Sequence, residues 1–291
     1  MTGNVTPSDV LKQADIALYK AKNRGRNQVC IFQPEFQIEL NYRAQKTADL
    51  RDALIQQQFE LYYQPIVDCS QRIIGYEALL RWHRPGFGTI PPDEFIPELE
   101  RSGLITETGR WVLQEACARL AYLEKHSRQP EITMSVNVSE RRLQSHDFVE
   151  MVRRVIKESS ASPRLLRLEL TESMLQNNVA ESVVKMEKLQ SDGVSFSLDD
   201  FSTGYSSLNI LHRLPVNFLK IGRTFVSAMI NNESSLKIIE LITGLASVLS
   251  IKVVAEGVET EEQFRLLNAM HCDYFQGFLF GRPSPAPHNK A

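Results

Sequence analysis

Cysteine is scarce in this chain of 291 residues, and the four that occur (Cys30, Cys69, Cys117 and Cys272) are far apart with no CxxC pair. That spacing excludes a disulfide scaffold and a thiolate zinc site, and it reads as reduced, mostly buried thiols of a cytosolic protein. None of the six histidines stands in an HxH or HExxH pattern, so imidazole metal chemistry has no foothold. Positive charge has no surplus: 33 Lys and Arg face 35 Asp and Glu, for a net charge of −2. This excludes a broad polynucleotide-binding surface but not a small phosphate ligand held by a few local groups. Long apolar runs are also missing. The longest, Leu241 to Ile251, has 11 residues, well short of the roughly 20 that a membrane-spanning helix needs. It predicts a core helix running into a strand. The first ten residues carry neither a basic nor an apolar signal segment. What remains is ordinary globular usage, 43% hydrophobic and 23% charged, which sets aside disorder, collagen and coiled coil.

From about residue 59 the chain alternates β-like runs with amphipathic stretches. The expected strands are Phe59–Val67, Ile73–Trp82, Ile132–Ser139, Leu165–Thr171, Val194–Asp199, Phe218–Ile221, Lys252–Glu256 and Tyr274–Phe278. Helical periodicity falls between most of them, at Glu107–Lys125, Asp147–Ser159, Ala180–Gln190 and Ser234–Leu249. Eight strands interleaved with helices predict an α/β fold, a (β/α)8 TIM-like barrel. Only Asp68 to Arg72 separates the first two strands, a hairpin length too short for a crossover helix, so the barrel is expected to begin with an antiparallel pair. Ahead of it, Leu11–Asn23 reads as an amphipathic helix, followed by a basic turn at Lys22–Arg26, a short strand at Gln28–Phe32 and a helix over about Phe36–Gln57. One helix and one strand cannot bury a core alone. The expected divisions are 1–35 as the tail of another domain, 36–58 as a connecting helix, 59–285 as the barrel and 286–291 as a tail.

The strands carry a second pattern. One face of each is apolar, as in Leu166, Leu168 and Leu170, while the alternate face is polar, as in Arg167, Glu169 and Thr171. Greasy faces suit the surrounding helices, which leaves the polar faces to converge inside, where an ordinary barrel holds Val, Ile and Leu. At the expected strand ends stand Glu77, Asn137, Glu169, Asp199 with Asp200, Lys220, Glu256 and Gln276. Five carboxylates aimed at one mouth repel one another unless a hard divalent cation joins them, and an all-oxygen donor set selects Mg²⁺, Mn²⁺ or Ca²⁺. Adjacent Asp199 and Asp200 can serve two cations. Two metals roughly 3.5–4 Å apart clamp the attacking and leaving oxygens of a phosphodiester, while a lysine orients water or neutralises developing charge. Each residue alone has a blander reading: a structural ion pair for a buried Glu, a helix cap for Asp199–Asp200, a solvated strand end for Lys220. Their joint placement at one end of a barrel is what points to metal-dependent phosphodiester hydrolysis.

The segment Tyr76-Glu77-Ala78-Leu79-Leu80-Arg81-Trp82 resembles the signature of the EAL-domain family, phosphodiesterases of the second messenger cyclic di-GMP. The resemblance continues in order through Tyr63-Gln64-Pro65-Ile66, Ser135-Val136-Asn137-Val138-Ser139, Glu169-Leu170-Thr171-Glu172-Ser173, Asp199-Asp200-Phe201, Lys220-Ile221, Ala255-Glu256-Gly257-Val258-Glu259 and Gln276-Gly277. It implies hydrolysis of cyclic di-GMP to linear 5′-pGpG with two Mg²⁺ or Mn²⁺ ions, Ca²⁺ binding without turnover. Glu77, Asn137, Glu169 and Asp199 would hold the first metal, and Asp199 with Asp200 the second. Lys220 would position the hydrolytic water, Glu256 would order a water shell and Gln276 would fix a metal-bound water. Gln64, Leu79 and Arg81 would contact the dinucleotide, and Glu172 would anchor the loop after the fifth strand, near which a homodimer would form. No nucleic-acid polymer and no membrane contact are expected within this stretch. Residues Ala14–Lys22 with Gly25-Arg26-Asn27 resemble the last helix and strand of a GGDEF domain, so the chain is expected to be the C-terminal part of a longer cytoplasmic protein, with any membrane tether upstream. Two positions depart from the family pattern: Ser202 and Gly222 stand where glycine and aspartate are usual. They leave a second reading open, a non-catalytic EAL receptor for cyclic di-GMP.

Overall fold

A computed structural model describes residues 6–23, 25–126, 131–175, 178–201 and 211–285. The chain divides into two compact units, Met1–Gln56 and Gln57–Ala291. In the first, helix α1 (Pro7–Asn23) and helix α2 (Pro34–Ile55) are tied by an ion pair between Lys20 and Glu39, with the Lys20 ammonium 5.4 Å from the Phe36 ring centre. The strand expected at Gln28–Phe32 is not formed. Its apolar residues Val29 and Ile31 stay exposed, and a lone strand with no ladder partner has nothing to stabilise it.

The second unit is a closed ring of eight strands. They are β1 (Phe59–Asp68), β2 (Ile73–Arg84), β4 (Thr133–Asn137), β5 (Leu166–Thr171), β6 (Ser195–Phe201), β7 (Phe218–Ile221), β8 (Lys252–Ala255) and β9 (Tyr274–Gln276). The ring runs β1-β9-β8-β7-β6-β5-β4-β2 and closes by pairing of β1 with β2. β1 is antiparallel to both neighbours, and every other pairing around the ring is parallel. The antiparallel start follows from the short turn: the Asp68 carboxylate accepts the backbone N–H groups of Ser70 (2.8 Å) and Arg72 (3.0 Å), an Asx-type lock on the hairpin. A short strand the sequence reading did not find, β3 (Gly88–Ile90), pairs antiparallel with the end of β2.

The amphipathic stretches form the helices α3 (Pro92–Ser102), α4 (Ile105–His126), α5 (Glu140–Gln144), α6 (Phe148–Ser159), α7 (Val179–Ser191), α8 (Arg223–Ala228), α9 (Glu233–Val248) and α10 (Glu261–Ala269). The apolar strand faces point at them: Leu166, Leu168 and Leu170 are fully buried, as are Met134 and Phe196. The greasy run at 241–251 is the end of α9 leading into β8. The four cysteines are free, but only Cys117 and Cys272 are buried. Cys69 is exposed and Cys30 half-buried, because the former sits in the hairpin turn and the latter in the segment that fails to become a strand.

Candidate active site

The inward face of the ring changes character toward the C-terminal ends of the parallel strands. Lys220, on β7, is 1% exposed and sits among four carboxylates: Glu256 Oε1 at 2.5 Å, Glu169 Oε2 at 2.6 Å, Glu77 Oε2 at 3.4 Å and Asp199 Oδ1 at 3.8 Å. Amides complete the layer. Asn137 Nδ2 donates to Glu77 Oε1 at 2.7 Å, and Gln276 Nε2 donates to Glu77 Oε2 at 2.7 Å and to Gln64 Oε1 at 3.1 Å. Gln64 in turn donates to the Gly281 carbonyl at 3.3 Å. Seven of the expected side chains thus meet around one ammonium.

A backbone irregularity brings Asp199 there. Ser197 and Leu198 of β6 pair with Phe218 and Leu219, but Phe201 pairs with Ile221, so Asp199 and Asp200 together lie opposite Lys220. Such a bulge re-aims side chains at the rim of a barrel. The Asp200 side chain, expected to serve a second cation, lies outside the described residues, and so does Ser202.

Glycine fixes the other rim. A Cβ on Gly277 would stand 2.0 Å from the Val258 carbonyl oxygen and 2.3 Å from its nitrogen, while Val258 N–H donates to the Gln276 carbonyl at 3.0 Å. Only a residue without a side chain lets the end of β9 seat against this loop and present Gln276 inward. Gly257, with φ +68°, lies so close to Arg223 that a Cβ would fall 2.3 Å from its Cγ.

The charges answer to burial and to one another. Burial pushes Glu169 up to about 7 and Glu256 up to about 8, against the pull of Lys220 and with the help of neighbouring carboxylates. Burial acts the same way on Glu77, but Lys220 and the two amide donors outweigh it and hold that carboxyl below its usual value. Burial opposes the charge on Lys220 too, yet Glu169, Glu256, Glu77 and Asp199 together raise it well above an ordinary lysine, so it keeps its proton. Four acids share one base.

Outside this layer a cavity of about 340 Å³ opens, lined by Gln64, Glu77, Leu79, Arg81, Asp199, Glu256 and Gln276. Its far wall holds residues to which the sequence reading gave no role: Arg223, Glu259, Phe278 and Pro283. Arg223 donates to Glu259 at 2.8 Å, and the Phe278 ring lies under the guanidinium of Arg282 at 4.1 Å. The signal for Arg223 was available, since it follows Lys220-Ile221-Gly222 at the mouth of β7. Gly222 itself is extended, with φ −61°, and heads α8 with no side-chain cap. Glu172 lies apart from the cluster. Both its carboxylate oxygens are shielded from solvent, with no hydrogen-bond partner among the described residues, and of the loop it was expected to anchor, Asp200–Ser207, residues 202–207 lie outside them.

Glu169 Oε1 is likewise buried without a partner, an acceptor left open in a layer of oxygen donors. That open oxygen, in a layer where burial and crowded carboxyls raise the pKa of Glu169 and Glu256, fits a hard divalent cation that would take the place of their protons. Among the described residues no three Asp, Glu, His or Cys side chains already stand in a metal-holding arrangement, as expected while the Lys220 ammonium draws the carboxylates to itself.

The family described as EAL domain matches residues 47–283. The bifunctional diguanylate cyclase/cyclic di-GMP phosphodiesterase MucR of Pseudomonas aeruginosa is 40% identical over 282 residues, covering 97% of this chain and 41% of that protein. The cyclic di-GMP phosphodiesterase NbdA of the same organism is 38% identical over 280 residues, covering 95% of this chain and 35% of that protein. The chain therefore spans less than half the length of these curated relatives. Among solved structures, the PaMucR phosphodiesterase in complex with c-di-GMP is 42% identical with a TM-score of 0.81, covering 83% of this chain and 98% of that one. The EAL enzyme Bd1971 in its cAMP- and cyclic-di-GMP-bound form is 28% identical with a TM-score of 0.82, covering 97% of this chain and 74% of that one.

Proposed function

The chain belongs to the EAL domain family, and from that premise we propose that its barrel hydrolyses cyclic di-GMP to linear 5′-pGpG with the help of Mg²⁺ or Mn²⁺. The observation that carries this reading is the meeting of Glu77, Glu169, Asp199 and Glu256 around buried Lys220 at the C-terminal ends of the strands, where barrel enzymes keep their chemistry. Glu77, Asn137, Glu169 and Asp199 would hold one cation, with Asp200 contributing to a second. Divalent cations there supply Lewis-acid stabilisation of the scissile phosphodiester and an activated water.

The chain's own groups do the rest. Lys220 keeps its proton and so acts as a donor, orienting the entering water and stabilising charge on the phosphoryl oxygens rather than abstracting a proton. Asn137 and Gln276 fix both oxygens of Glu77. Arg81 and Gln64 line the cavity and would recognise the dinucleotide's phosphate and base edges, with Leu79 packing against it. A homodimer joined near the loop after β6, a cytoplasmic setting and residues 1–35 as the end of a GGDEF domain belong to the same reading and rest on the resemblance. No described helix is long and apolar enough to cross a membrane.

Incubating the purified chain with cyclic di-GMP and Mg²⁺ and separating the products by chromatography tests the reading. Accumulation of pGpG supports it, and unchanged substrate at micromolar enzyme overturns it. Gly222, which offers no carboxylate beside Lys220, favours the receptor reading instead, as does Ser202 in the sequence. Tight calorimetric binding without turnover would establish that alternative.

A further inference from the structure

At the end of the barrel opposite the acidic layer, a second and larger cavity of about 540 Å³ opens among the first residues of the parallel strands, with Ile74, Thr133, Arg167, Phe218 and Tyr274 in its wall. Barrel floors ordinarily serve stability, filled by branched aliphatic side chains. This one is built otherwise. Arg167 is 3% exposed, and its guanidinium carbon lies 3.4 Å from the Phe218 ring centre, over the ring. Its Nε is buried with no hydrogen-bond partner among the described residues. The next inward residue on the same strand, Glu169, gives its Oε2 to Lys220; its charge favours the Arg167 cation from a distance without a hydrogen bond to it. A second ring, Tyr274, stands 6.1 Å from Phe218.

A guanidinium placed only for packing would find acceptors among nearby carbonyls, because an unpaired buried donor costs stability. The rim charges nearly cancel. Arg72 is bound to Asp68 at 2.7 Å and Lys252 to Asp273 at 2.7 Å, and the exposed Glu131 adds an acidic group to the rim. Among the described residues of the wall, the buried charge is the Arg167 cation. The volume falls in the range of small-molecule sites, which are mostly apolar with a few convergent polar groups.

We propose that this floor cavity is a second binding site, taking a small organic anion. Its carboxylate or phosphate would accept from the Arg167 guanidinium, and its apolar body would lie among Ile74, Phe218 and Tyr274. Arginine suits planar, forked recognition of such groups. The site is independent of the phosphodiesterase reading and survives its failure.

The test uses the full chain and calorimetry with two probes of equal shape, benzoate and neutral benzamide. Benzoate should bind one-to-one and at least about tenfold more tightly than benzamide, the usual strength of a charge-assisted hydrogen bond. Arg167→Met should abolish the preference, and Arg167→Lys should keep part of it. Should Arg167→Met melt early, Glu131→Gln gives an independent readout: removing the acidic rim charge should tighten benzoate and leave benzamide unchanged. Equal affinity for the two probes, benzoate binding that survives Arg167→Met in a folded chain, or no binding of either probe at millimolar concentration would overturn the proposal.

Discussion

Lys220 is the residue on which the site's electrostatics turn. Removing it leaves four carboxylates facing each other without a cation, and breaking a buried ion pair in this way costs about 3–5 kcal/mol. Lys220→Ala should therefore melt well below the unsubstituted chain without divalent ions, and recover much of the loss when Mg²⁺ is added. Its turnover should fall by about two to three orders of magnitude, as for loss of a pre-aimed donor, with cyclic di-GMP affinity little changed. Parallel loss of affinity would contradict its role.

The raised acids make a separate forecast. Glu169 and Glu256 hold protons up to about 7 and about 8 when folded, whereas unfolded they release them near 4.5. Between those values the folded chain binds more protons than the unfolded one, so stability without metal should fall as pH rises from 5 to 8. Saturating Mg²⁺ should flatten that slope, and binding near pH 7 should release protons. Melting curves across this range, with and without Mg²⁺, read both effects.

At the scale of elements, the seat of β9 against the Val258 loop sets the reach of Gln276. Gly277→Ala forces a Cβ into backbone atoms and should cost about 1–3 kcal/mol, as overpacking does. Because it displaces Gln276 from Glu77, it should also weaken metal binding, whereas Leu168→Ala on the outward face should cost about 2–5 kcal/mol with metal affinity intact. Comparing denaturation midpoints and Mn²⁺ titrations of the two variants separates positioning from bulk stability. The hairpin that opens the barrel was legible because its linker length allows nothing else. β3 was not, since three residues between Gly86 and Pro91 show no periodicity. The strand read at Gln28–Phe32 failed because an alternating pattern does not say whether a partner exists.

Across the whole molecule, the eightfold alternation and the polar inner faces made the barrel and most of its mouth readable. Glu77, Glu169, Asp199 and Lys220 come from four separate strands and Glu256 from the residue after a fifth, and strand parity alone brings them together from sequence. Parity could not reveal the bulge that sets Asp199 and Asp200 opposite a single residue, because register is a property of two strands. Nor could it find Arg223 and Phe278, which reach the cavity from the loops. It did place Arg167 inward, but not the volume around it. Divalent cations are expected to gather at that acidic layer, and anomalous diffraction from crystals grown with Mn²⁺ and cyclic di-GMP would locate them. A manganese peak is expected in contact with Glu77, Asn137, Glu169 and Asp199. No peak there, with Lys220 still bound to Glu169 and Glu256 beside the ligand, would contradict it.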